Sequence, residues 1–182
     1  MLAPGPDLLR EMSACGMLLD TTHISDRSFW EALEYYPGPI LASHQNCRAL
    51  APGERQFTDE QLKAIIERDG VVGAALDAWM LYPDWVRGET DPSVLTLSSV
   101  ADHIDHICQL AGSTRHAAIG SDLDGGYGLI GLRGPVARDA RALLGVELGH
   151  PGVLAQTLAA AGRAARGEIF FLCGPRLSLI HI

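Results

Sequence analysis

Four times in its first 128 residues the sequence passes from a helix-like amphipathic segment into a short apolar run of strand length, with few residues between them. Strands that alternate with helices in this way pair side by side in parallel, and the helices cover the sheet. The segment GPDLLREMSACG reads as a short helix closed by Gly16, and Met17 to Thr22 as the first strand. Ser25-Asp26 caps a helix from about Arg27 to Tyr36, Pro37-Gly38-Pro39 stops it, and Pro39 to Ser43 makes the second strand. FTDEQLKAIIERDG is the clearest helix, with Thr58 as N-cap, Gln61 in the capping-box position and Gly70 at its end. VVGAALDA forms the third strand, and a loop rich in Trp, Tyr, Pro and charge, WMLYPDWVRGETDPS, follows it. The helix LSSVADHIDHICQLAG ends at Gly112, and HAAIGSDLDGGYG is a fourth strand that runs out into glycines. The expected fold class is therefore α/β, within one ordinary domain of 182 residues whose 47% hydrophobic content is ample for a core.

Charge narrows the range of partners. Residues 1–128 hold 8 basic and 19 acidic side chains, a net −11, against 6 and 3, a net +3, in residues 129–182. Phosphate binding needs clustered Lys and Arg, so the front part is not expected to bind nucleic acid. Cys15, Cys47, Cys108 and Cys173 are scattered, without a C-x-x-C, and read as reduced, mostly buried thiols. The first residues have no basic n-region, and no apolar stretch reaches the ~20 residues of a transmembrane helix. A cytoplasmic enzyme without a transmembrane segment fits these features.

The polar residues reached as the apolar runs end are His23, His44, Asp77 and Asp122, the last within IGSDLDGG. In parallel α/β folds the C-terminal strand ends converge on one face, which holds the active site. Two imidazoles and one or two carboxylates gathered there suit a divalent metal, nitrogen and hard oxygen together. A second reading stays open: a histidine after a strand is often a hydrogen-bonded loop residue. An aspartate there, Asp77 or Asp124, commonly caps the next helix or binds a turn. His103 and His106, at i and i+3 in DHIDHI, imitate a metal pair, but a helix outside a barrel places them for a solvent-facing or packing role.

Taken together, LLDTTHIS, PILASHQNCRAL, an Arg eleven residues after His44, FTDEQLKAI, VADHIDHICQLAG and AIGSDLDGG resemble the membrane dipeptidase family, the renal-dipeptidase type of zinc peptidase. The motifs run in the family's order over residues 8 to about 128. The resemblance implies a (β/α)8 barrel of the TIM type with two zinc ions at the C-terminal strand face, hydrolysing dipeptides through a metal-bound hydroxide. It implies His23 and His44 as ligands of one zinc, and Arg55 as the grip on the substrate's C-terminal carboxylate. Asp122 would lie beside the scissile peptide and the substrate's free amino group. A planar guanidinium fork suits a carboxylate better than the point charge of lysine. Taken without the resemblance, Arg55 reads as a surface arginine in APGERQF; the Gln56 that follows departs from the family's Arg-Asn.

The family's opening His-x-Asp, its bridging carboxylate and its substrate-contacting histidine do not precede LLDTTH here. The expectation is an incomplete barrel, about strands five to eight with their helices, holding about half of the zinc ligands and inactive alone. Its exposed sheet edges and apolar helix-facing surface invite self-association, for example as a homodimer. Residues 129–182, Ala-, Gly-, Leu- and Arg-rich and ending in CGPRLSLIHI, lack the family's closing motif and read as a frameshifted or foreign tail. Two other functions are compatible with the motifs. One is a metal-dependent amidohydrolase of N-acyl amino acids, with Trp79, Tyr82 and Trp85 shaping a larger pocket. The other is a non-catalytic α/β remnant that keeps the fold without the metal.

Overall fold

The helices start and stop where local hydrogen bonding dictates. In the computed structural model, which describes residues 2–121 and the short strand Phe170–Phe171, helix α1 (Gly5–Ala14) is closed by Gly16 at φ 69°. There Gly16 N–H returns to Ser13 and Met17 N–H to Met12, satisfying carbonyls that a helix end otherwise leaves open. Ser25 Oγ accepts the Ser28 N–H at the head of α2 (Asp26–Tyr35). At α3 (Asp59–Glu67) the box is reciprocal: Thr58 Oγ1 takes the Gln61 N–H at 3.3 Å and Gln61 Oε1 takes the Thr58 N–H at 2.9 Å. The left-handed residue that ends α3 is Asp69 at φ 55°, one position before the expected Gly70, whose N–H returns to the Ile65 carbonyl. Gly112, at φ 61°, closes α5 (Leu97–Ala111) in the same manner.

All strand pairing among the described residues is parallel. β1 (Leu19–Asp20) pairs with β2 (Ile40–Leu41) in the register Leu19↔Ile40 and Asp20↔Leu41. A parallel bridge, Ala42↔Val72, joins β2 to β3 (Val72–Ala75). β3 pairs with β4 (Ala117–Ser121) from Val72↔Ala117, with an irregularity between Ala74 and Ala75, and β4 pairs with β5 (Phe170–Phe171). Neighbours in space are thus neighbours in the chain, as successive βα units require.

The first two strands are shorter than the apolar runs that encode them. β1 pairs on one side only among the described residues, and Met17 and Leu18 before it are 52% and 45% exposed. Beyond Leu41 the backbone turns toward β3, where Ala42 N–H donates to Val71 and Gln45 N–H to Gly73. The aromatic loop after β3 is partly ordered: it holds a one-turn helix, α4 (Ala78–Leu81), and a 3₁₀ turn at Pro92–Val94. In that loop Trp85 packs on the core, Trp79 is half-buried and Tyr82 is exposed.

The core lies between the sheet and helices α2, α3 and α5, centred on Phe29, Tyr36, Phe57, Leu62, Ile65 and Ile107. Phe29 and Phe57 meet edge to face at 5.2 Å, worth about 1 kcal/mol beyond their area. Asn46 and His103 inside it bond to backbone, whereas Gln56 Oε1 and Trp85 Nε1 are buried without a hydrogen-bond partner among the described residues. Asn46 donates to the carbonyls of Ala75 and Met80 and accepts the Ala75 N–H, pinning the loop after β2 to β3. His103, 1% exposed, accepts the Cys47 N–H at Nδ1, and burial pushes its pKa down to about 4. The histidine pair on α5 therefore serves packing, with His106 Nε2 2.7 Å from Asp59 on α3. Among the described residues the cysteines are less uniformly buried than expected, and Cys173 lies outside them. Cys47 is enclosed and its thiol pushed up to about 12 by burial and the nearby Asp59, Cys108 is half-buried, and Cys15, at the end of α1, faces solvent.

Candidate metal centre

The ends of β1 and β2 are built as one polar unit. Asp20, the last residue of β1, directs its carboxylate at the end of β2. Its Oδ1 accepts the Thr22 and Ser43 N–H groups at 3.0 and 3.1 Å, and its Oδ2 accepts the Ser43 hydroxyl at 2.5 Å. Desolvation pushes the Asp20 pKa up, but the bonds from Ser43 and Thr22 outweigh it and hold the group below the usual carboxylate range. Thr21 Oγ1 donates to the Leu41 carbonyl at 2.8 Å, closing the same seam from its buried side.

On this seam stand the two histidines that the sequence separates by 21 positions. Their Nε2 atoms are 2.8 Å apart, with ring centroids at 4.9 Å and planes at 61°. His23 is exposed and sits at φ 68°, a left-handed conformation that costs a side-chain-bearing residue free energy. His44 is half-buried, and its Nδ1 lies 2.8 Å from Ser43 Oγ. The backbone under it depends on two glycines. A Cβ on Gly73 or on Gly120 would run into the Ser43 carbonyl oxygen, and one on Gly120 would also stand 2.8 Å from His44 Cα.

Arg55 completes the group from the loop before α3. Its Nη2 donates to the His44 carbonyl at 3.1 Å and lies 3.4 Å from His23 Nε2, while Nη1 donates to Gln45 Oε1. The buried Gln45 returns a bond to the Arg55 carbonyl at 2.7 Å, so the base of the arginine is clamped and its head faces the histidines. Gln56 is fully buried, and its Nε2 donates to the Ala51 carbonyl at 3.1 Å. Asp77 is buried at the N-cap of α4, where its carbonyl, and not its carboxylate, accepts the Met80 N–H. Asp122 and Asp124 lie outside the described residues.

The structure thus brings His23, His44 and Arg55 together. Sequence reasoning missed Asp20, Ser43 and Gln45, the residues that hold them. The available signal was that Asp20 and Ser43 are the polar residues at the ends of the two apolar runs, three positions before His23 and one before His44.

Two imidazole nitrogens side by side supply part of a donor set for a divalent cation. Tetrahedral zinc, with bonds of about 2.0–2.1 Å, holds two imidazole nitrogens about 3.3 Å apart, a small outward turn from the separation seen. Among the described residues no third His, Cys, Asp or Glu joins the pair to form a cluster of three metal-ligating side chains.

A family model described as membrane dipeptidase, peptidase family M19, matches residues 2–134. An uncharacterised protein from the pqqA 5′ region of Klebsiella pneumoniae is 35% identical over 69% of this chain and 44% of its own length. A dipeptidase of Claviceps purpurea is 31% identical over 66% of this chain and 27% of its own. Among solved structures, a metallo peptidase from Rhodobacter sphaeroides liganded with a phosphinate mimic of the dipeptide L-Ala-D-Ala superposes with a TM-score of 0.64 at 25% identity. That match covers 89% of this chain and 46% of the other. The dipeptidase AC, a metallo peptidase of family M19, gives 0.62 at 29% identity, covering 71% of this chain and 36% of that one. The chain spans less than half the length of each of these proteins.

Proposed function

We propose the following for this chain, which belongs to the membrane dipeptidase family, peptidase family M19: it carries the C-terminal part of a zinc-dependent dipeptidase site, with His23 and His44 as zinc ligands. The observation that carries the reading is the 2.8 Å approach of the two Nε2 atoms with the Arg55 guanidinium beside them. When bound there, zinc supplies Lewis acidity that brings water activation to neutral pH. His23 and His44 hold the ion through Nε2. Arg55, clamped by Gln45, presents its guanidinium to the substrate's C-terminal carboxylate as a two-pronged donor. Asp122 handles the proton and the free amino group of the substrate. Recognition of both charged ends limits the substrate to two residues.

The all-parallel strands, neighbours in space in their chain order, support a segment of a (β/α)8 barrel, about strands five to eight, within residues 1–128. In sequence, residues 129–182 are an atypical tail of frameshifted or non-native character, although Phe170–Phe171 within them pairs with β4. Two imidazoles supported by few oxygen donors hold zinc more weakly than a four-ligand site. By itself the 182-residue chain is inactive, and measurable dipeptide turnover by the pure chain would overturn that statement.

The substrate assignment is tested by calorimetric binding of a phosphinate dipeptide mimic to the zinc-loaded chain, for the wild type and Arg55→Lys. The lysine variant is expected to bind at least about ten-fold more weakly, because it keeps the charge and loses the fork. Tighter binding of N-acyl amino acids than of the dipeptide mimic would instead favour the amidohydrolase reading.

A further inference from the structure

We propose that Asp20 and Ser43 are positioning residues that set the tautomer of His44, keeping its proton on Nδ1 and its lone pair on Nε2, the nitrogen that faces His23. The inference deepens the reading of His44 as a metal ligand and adds two residues that do not touch the ion.

The hydrogens available between the three side chains fix the tautomer. Ser43 Oγ lies 2.5 Å from Asp20 Oδ2 and 2.8 Å from His44 Nδ1. A hydroxyl has one hydrogen, and an ionised carboxylate can only accept. The Ser43 hydrogen therefore goes to Asp20, and Ser43 Oγ must accept from the imidazole. Nδ1 of His44 thus carries the proton and Nε2 does not. The other acceptor near Ser43, Thr22 Oγ1, is 3.4 Å away and is a neutral oxygen, a weak competitor for that hydrogen. Asp20 cannot easily turn, since its Oδ1 is fixed by the Thr22 and Ser43 N–H groups.

The arrangement matters because a histidine side chain in water prefers its proton on Nε2, the nitrogen needed here. A carboxylate acting through a neighbour on a ligating histidine fixes ring orientation and raises basicity, and loss of such a partner costs about 10- to 100-fold in metal affinity. The relay also links the two strands: Asp20 belongs to β1, whereas Ser43 and His44 follow β2, so the ligand is set by the parallel register Asp20↔Leu41.

Asp20→Asn gives a sharp test, because the amide would keep its oxygen for the two N–H groups and turn its NH₂ toward Ser43. The serine hydrogen would then be released to His44 Nδ1, moving the imidazole proton to Nε2. Long-range ¹H–¹⁵N spectra of the metal-free full chain, at mildly alkaline pH, read the two tautomers directly. The wild type is expected to show His44 with Nδ1 protonated, Asp20→Asn to show it inverted, and Ser43→Thr, which keeps the hydroxyl, to keep the wild-type pattern. Zinc affinity is expected to fall about 10- to 100-fold in Asp20→Asn and to be kept in Ser43→Thr. A wild-type spectrum with Nε2 protonated, or an unchanged tautomer in a folded Asp20→Asn, would overturn the relay. The predicted tautomers in a wild type that binds no zinc would uphold the relay and sink the metal assignment instead.

Discussion

His23 and His44 stand 21 residues apart in the chain and 2.8 Å apart at their Nε2 atoms, whereas His103 and His106, one helical turn apart on α5, serve different partners. The first pair lies at the open ends of two-residue strands, one member exposed and left-handed. The second lies where α5 packs on α3 and β3, one member sealed against Cys47 and the other paired with Asp59. Proximity in sequence thus misleads where proximity in topology does not. Parallel strands bring their ends together whatever the length of the crossover, while a helix turn fans its side chains toward whatever packs there. The regions also differ in where free energy goes. Around α5 and β3 polar side chains are buried to satisfy backbone, and at the strand ends the chain tolerates backbone strain to bring two imidazoles into contact.

The contrast can be pressed hardest in the packed region. Asn46→Ala strips the Ala75 N–H and the Ala75 and Met80 carbonyls of their partner. Urea melting should show a loss of about 4 kcal/mol, each buried group left unpaired costing about 1–3 kcal/mol. A loss under about 1 kcal/mol would mean that this clasp holds nothing.

The next effect is one of pH. The folded pKa of His103 is depressed from 6.5 to about 4, so the unfolded chain takes up its proton first. Its contribution is complete above pH 6.5, erodes as pH falls, and is lost once pH passes below about 4, a span of roughly 3 kcal/mol. The lowered carboxylates Asp20 and Asp26 act in a separate window, below their ordinary value of 3.8. His103→Asn, which keeps an acceptor for the Cys47 N–H, should flatten the upper window in melts at graded pH. A variant with the same slope as the wild type would mean that another group titrates there.

At the strand ends the sign should reverse. His23→Gly removes the left-handed penalty and is expected to be about 1 kcal/mol more stable than His23→Ala, while both lose zinc. Equal stabilities would mean that the conformation costs nothing. The smallest change should come from His106→Ala, whose partly exposed pair with Asp59 is worth at most about 1 kcal/mol, with zinc affinity untouched.

Much of this was legible in the sequence for stated physical reasons. Thr58 and Gln61 form the reciprocal cap, Ser25 starts α2, and the β–α rhythm yields parallel neighbours in chain order. His23 and His44 could be paired because strand ends are spatial neighbours. The direction of side chains was not legible. Nothing in LLD or ASH says that Asp20 will reach across to Ser43, since that depends on register, and a one-residue slip would turn both away. Nor could periodicity separate a packed helical histidine from an exposed one, which is decided by what lies against α5. The aromatic loop hid α4 because one helical turn carries no repeat to detect. Asp122, named from its place after the fourth strand, falls outside the described residues.

The most direct test of the account is zinc affinity, measured by competition with a chromogenic chelator, for the full chain and for His23→Ala, His44→Ala, His103→Asn and His106→Ala. The account predicts one zinc per chain, lost or weakened at least about 100-fold by either strand-end substitution and unchanged by either substitution on α5. Equal affinities in all five proteins, or a loss confined to the α5 variants, would contradict it.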